Sequence, residues 1–101
     1  MINSKGIRNP EMDKLMDAML TLKSRDEAYL FFEDLCTVGE MAAISQRFEV
    51  AKLLKEERTY TEISEATGAS TATISRVNRT LNYGDGGYEL IMNRIAEAEN
   101  K

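Results

Sequence analysis

Histidine is absent from this 101-residue chain, which removes the commonest general base and metal ligand. A single cysteine, Cys36, leaves no internal disulfide and no multi-cysteine zinc site. It closes the apolar run Tyr29 to Cys36 and is expected to be a small buried hydrophobe. One proline and six glycines leave long uninterrupted stretches rich in Ala, Leu, Met, Glu and Lys, which favour helix. No apolar run approaches the length of a membrane span and the start shows no signal-peptide core, so a cytoplasmic location is expected. Without a phosphate-cradling glycine loop or metal-ligand spacing, neither an enzyme nor a cofactor is expected.

What charge there is runs the wrong way for binding a polyanion, at −4 net. Its distribution matters more than its sum. Residues 1–57 carry 8 basic and 11 acidic groups, and residues 84–101 carry 2 and 4. Residues 58–83 carry 3 and 2, and from Ser70 to Tyr83 there are two arginines and no acid. The least acidic stretch is compatible with nucleic acid but does not by itself argue for it.

The chain is short enough for one domain spanning residues 1–101, and helix starts are legible along it. Asn9 followed by Pro10 is an N-cap with proline at the first helical position. Met12, Leu15, Met16, Met19 and Leu20 then share a face to about Leu22. Ser24 with Glu27, Thr37 with Glu40 and Thr59 with Glu62 are three capping boxes. The first opens a short helix to Leu35 that is apolar on several sides. The second opens a helix to about Glu57, with Met41, Ile44, Phe48, Ala51 and Leu54 at steps of three and four. The third opens a short helix ending near Gly68. Ser70 caps a helix holding Ile74, Val77 and Leu81 inward. After the break at Gly84 to Gly87, a last helix runs from Tyr88 to about Glu99 with Leu90, Ile91, Met92 and Ile95. An all-α, six-helix chain is expected, with residues 1–57 for dimerisation, 58–83 as a reading head and 84–101 as a C-terminal helix. The apolar surplus of the first three helices predicts a homodimer, with ordinary core packing as the alternative.

From Tyr60 the chain reads YTEISEATGASTATISRVNRTL, the pattern of a helix-turn-helix. Gly68 supplies the cheap left-handed turn, and Ser64 is small enough for a close helix crossing. Ile63, Ala69, Ile74 and Val77 are apolar where the two helices must face each other. The second helix opens with short side chains that let it seat in a major groove. Thr71, Ala72 and Ser75 are placed to approach base edges. Ser70, Thr73, Arg76 and Arg79 suit phosphate contacts or structural roles.

The same residues carry a resemblance. Gly68-Ala69, Ala72-Thr73-Ile74 and Arg76 resemble the turn and recognition helix of the tryptophan repressor. Phe31 to Val38, Gln46 to Ala51 and Leu81 to Gly84 are similar to its TrpR-related YerC/YecD relatives, and the likeness runs from about Met12 to Tyr88. It implies a six-helix subunit in an intertwined homodimer, with two reading heads on one face of double-stranded DNA. It also implies a ligand pocket at Arg47, Arg76 and Thr80, where the repressor holds tryptophan between two arginines. The repressor has glycine after the second arginine, whereas this chain has Val77, which is expected to fill the space an indole needs. Tryptophan is therefore not expected as corepressor, and Arg47 is expected to pair with Glu49 or Asp34 or to contact phosphate. The function expected is a sequence-specific DNA-binding regulator, a repressor by resemblance. The alternative is a helical protein-interaction module whose acidic surface repels DNA.

Overall fold

A computed structural model describes residues 6–100. Its regular structure is six helices: α1 (Pro10–Met19), α2 (Arg25–Leu35), α3 (Val38–Lys55), α4 (Tyr60–Thr67), α5 (Thr71–Tyr83) and α6 (Gly87–Glu99). The caps read from sequence set most of the starts. Asn9 Oδ1 accepts the Met12 N–H at 2.7 Å, and the Ser24, Thr37, Thr59 and Ser70 hydroxyls each accept an N–H at 3.1 Å. Side-chain oxygens thus take up donors that have no partner in the first turn of a helix.

Two ends fall short of expectation. Helix α1 stops at Met19 rather than Leu22, because the chain tightens into three-residue bonds from Thr21 to Ala18 and from Leu22 to Met19. Helix α3 stops at Lys55 rather than Glu57. Arg58 N–H donates to the Leu53 carbonyl and Glu57 N–H to that of Leu54, with Glu57 left-handed at φ 63°. That is the helix-ending motif normally built on glycine, so composition gave no sign of it.

The chain divides into two compact units at Met41/Ala42, inside α3. The reason lies in the core of the second unit. Val50 and Ala51 of α3 are buried together with Ile63, Ala69, Ile74 and Val77, and Leu53, Leu54, Leu81, Tyr88 and Met92 pack around them. The second half of α3 therefore belongs with the helix-turn-helix. Fully burying Val50, Ile63 and Ile74 stabilises this unit by about 1.5–3 kcal/mol each. Ile44 of α3 and Leu90, Ile91 and Ile95 of α6 are exposed.

In the first unit no described side chain is buried. Phe31 and Phe32 meet edge to face at 5.5 Å, but Tyr29, Leu30 and Leu35 are 56, 67 and 48% exposed. Helix α2 is thus not enclosed within one chain, and Cys36 is half-buried at its end rather than buried.

Around α4 the capping box is complete: Thr59 N–H donates to Glu62 Oε1 at 2.9 Å, and Glu62 N–H to Thr59 Oγ1 at 3.1 Å. The Thr59 backbone bond chiefly holds the Glu62 carboxyl below its usual range, aided by the Thr59 hydroxyl and Arg58. A depressed carboxyl contributes stability that is present above the ordinary glutamate value of about 4.3 and is lost as pH falls through the lowered one. Glu62→Gln should therefore flatten the acid limb of α4 stability, read as amide exchange at Ile63 and Ser64 between pH 6 and 3. Identical acid limbs in both proteins would disprove the assignment.

Candidate nucleic-acid interface

The turn between α4 and α5 is held from several sides. Gly68 is left-handed at φ 75° and its N–H reaches the Ser64 carbonyl at 2.8 Å. A non-glycine residue there costs about 1–2 kcal/mol. Thr67 Oγ1 donates to the Ile63 carbonyl at 2.7 Å and accepts the Ala69 N–H at 3.1 Å. Ile63 and Ala69 on one side and Ile74 and Val77 on the other are buried at the contact. At the far end Gly84 closes α5, where a Cβ would run into the Thr80 carbonyl.

Helix α5 presents one solvent face. Thr71, Ala72, Ser75, Arg76, Arg79, Asn82 and Tyr83 are exposed, while Ile74 and Val77 are buried. At about 100° per residue the exposed set occupies roughly 140° of circumference, with Arg79 near its centre. Neither Arg76 nor Arg79 makes an ion pair among the described residues, whereas Lys52, Lys55 and Arg58 pair with Glu49, Glu89 and Glu56. The face is therefore short at its N-terminal end and cationic further along. The first N–H groups of α5, which have no partner within the helix, point out of that same end.

The remaining candidates divide. Ser70 Oγ accepts the Thr73 N–H and donates to Thr73 Oγ1, both at 3.1 Å, so both hydroxyls are engaged in the cap. Thr80 Oγ1 donates back to the Arg76 carbonyl at 3.1 Å. Arg47 is exposed on α3 and does not pair with Glu49, which bonds Lys52 instead, at 3.8 Å. Residues two apart lie on different sides of a helix, whereas three apart they are neighbours. Val77 is 2% exposed, packed into the shared core.

Sequence reasoning missed two features. Asn82 and Tyr83 extend the exposed face of α5, with Tyr83 86% exposed; continuing the three-and-four spacing past Arg79 would have found them. A groove of about 250 Å³ lies beside Thr71, lined by Tyr60, Thr61, Ser64 and Glu65 of α4. Those four share one side of a helix by their spacing. The groove brings one acid, Glu65, to the edge of an otherwise acid-free surface.

Comparison with known proteins places this geometry. A family model described as Trp repressor protein matches residues 10–96. YerC of Bacillus subtilis, a protein of uncharacterised function, is 50% identical over 95 residues, covering 94% of this chain and 91% of its own. The solved structure of a TrpR-like protein from Eubacterium eligens is 57% identical, with a TM-score of 0.86 over 88% of this chain and 92% of that one. A candidate Trp repressor from Staphylococcus aureus is 47% identical, with a TM-score of 0.88 over 95% and 96% of the two chains.

Proposed function

The chain belongs to the Trp repressor family, and on that premise we propose that it is a sequence-specific DNA-binding regulator that acts as a repressor. The observation that carries the reading is the exposed face of α5, with short side chains leading, two arginines following that make no ion pair among the described residues, and no acid of its own. Residues 1–101 act as one domain, in the cytoplasm with the DNA, and not as an enzyme. Thr71, Ala72 and Ser75 approach base edges, while Arg76 and Arg79 neutralise phosphate. Ser70 and Thr73 shape the N-terminus that approaches the backbone.

Two copies are needed. Tyr29, Leu30, Leu35 and Val38 are exposed in one chain, more apolar side chain than a unit of this size leaves in water without a partner. A homodimer covers them and presents two reading heads. Selecting bound duplexes from a random pool tests the proposal. It should enrich a two-fold symmetric site whose half-sites lie about one helical turn apart or a multiple of it. No enrichment, or capture of protein partners without duplex, would favour an interaction module instead.

Tryptophan does not control this reading head. Val77 is packed into the core at 2% exposure, which supports the expectation, taken from the family resemblance, that its side chain fills the space an indole would need. Calorimetry should show no saturable binding at micromolar tryptophan, and duplex affinity should be unchanged by it. Val77→Gly removes buried packing and adds a helical glycine, costing roughly 2–4 kcal/mol of stability. Saturable tryptophan binding by the unaltered chain would refute the exclusion.

A further inference from the structure

At the last residue of α4, Thr67, the backbone carbonyl has no acceptor role inside its own helix. It is reached from α3 instead: Gln46 Nε2 donates to it at 3.1 Å, across 21 positions of sequence, with both residues partly buried. Beside this bond α3 and α4 are separated by an open groove of about 440 Å³, lined by Ala42, Ser45, Gln46, Glu49, Ala66 and Thr67. Small side chains on both walls leave little packing to set the distance between the helices here. The Gln46 amide spans that gap and ends at the carbonyl that leads into the left-handed Gly68.

We infer that Gln46 is a positioning residue of the reading head, fixing the angle of the helix-turn-helix on α3 and thereby the spacing at which paired heads meet DNA. The inference rests on the DNA-reading proposal for its consequence, but the bond itself can be tested without DNA. A carbonyl at a helix C-terminus carries partial negative charge, so a donor is required there and a carboxylate is excluded. Helix α3 contributes Val50 and Ala51 to the core from its later turns. Gln46 adds a directional contact near the turn, where apolar packing alone would permit the head to rock.

The experiment compares the intact chain with Gln46→Met, which keeps length but loses the donor, and Gln46→Lys, which keeps a donor. Amide exchange at Gly68 and Ala69 is read without DNA. Affinity is read on a duplex selected by the unaltered chain, and on versions with one base pair added or removed between half-sites. In Gln46→Met, exchange at the two turn amides should quicken by roughly three- to tenfold while Val50 and Ile74 amides keep their rates. The penalty for altered spacing should shrink in parallel. Gln46→Lys should restore both the slow exchange and the spacing penalty, whatever its added charge does to overall affinity. Uniformly faster exchange with an unchanged spacing penalty would make Gln46 merely structural and overturn the inference. Turn amides in Gln46→Met that match the unaltered chain would overturn it as well. If the unaltered chain binds no duplex, the DNA reading falls, and the exchange data separately report whether Gln46 holds the turn.

Discussion

Arg79→Ala should weaken binding to every duplex, selected or random, and reduce the steepness of its salt dependence. Arg79 sits near the middle of the exposed face of α5 without an ion-pair partner among the described residues. Eight residues separate it from Thr71, about 12 Å along the helix. When the leading end of α5 enters a major groove, that distance brings Arg79 to the groove's wall, where phosphates lie. Neutralising one phosphate contributes about 0.9 to the slope of log affinity against log salt. Two heads make the expected loss roughly two units. Ser75→Ala should behave differently, costing about 1–3 kcal/mol on the selected sequence and little on random duplex. Titrations of both variants at several salt concentrations separate the roles. Uniform weakening by Ser75→Ala, with a change of preference confined to Arg79→Ala, would reverse the assignment.

Leu30→Asp should abolish the dimer. Leu30 is 67% exposed on α2, within a unit that has no buried described side chain. Burying one leucine against a partner stabilises by about 1.5–3 kcal/mol, and symmetry counts it twice. A carboxylate at that position would have to be desolvated in both copies, which costs several kcal/mol more. For the unaltered chain, a tenfold rise in concentration stabilises a dimer by about 1.4 kcal/mol. Over two chains of this length Tm should rise by roughly 3–6 °C. Sedimentation of an 11.4 kDa monomer at micromolar concentration, with a Tm independent of concentration, would contradict the dimer.

Local chemistry was the part of this fold that sequence expressed well. Side-chain caps depend on residues three apart, so Ser24, Thr37 and Thr59 announced their helices directly. The reciprocal box closes at Thr37 and Thr59 but not at Ser24, where Glu27 accepts the Lys23 N–H instead. Gly68 flanked by Ile63, Ala69, Ile74 and Val77 specified the helix-turn-helix, and all four are buried. The apolar residues of α3 and α6 were only partly informative: Tyr88 and Met92 pack on the core while Ile44, Leu90, Ile91 and Ile95 are exposed, because periodicity reports which face is apolar and not which neighbour covers it. Glu57 in a left-handed turn was invisible, since any residue can be held there when surrounding bonds outweigh the strain. Within the candidate site the exposed face of α5 followed from helical geometry. The Gln46 to Thr67 bond did not, because nothing in either local sequence encodes a contact across that separation.

Salt dependence of duplex binding by the unaltered chain tests the central claim most directly. Arg76 and Arg79 from two heads supply four cations, so the slope of log affinity against log salt should be about −3.6 from α5 alone. Affinity for a selected duplex should then fall at least about a hundredfold between 50 and 200 mM salt, while staying about a thousandfold or more above that for random duplex. A slope near zero, or equal affinity for selected and random duplexes at every salt concentration, would contradict a sequence-reading role for α5.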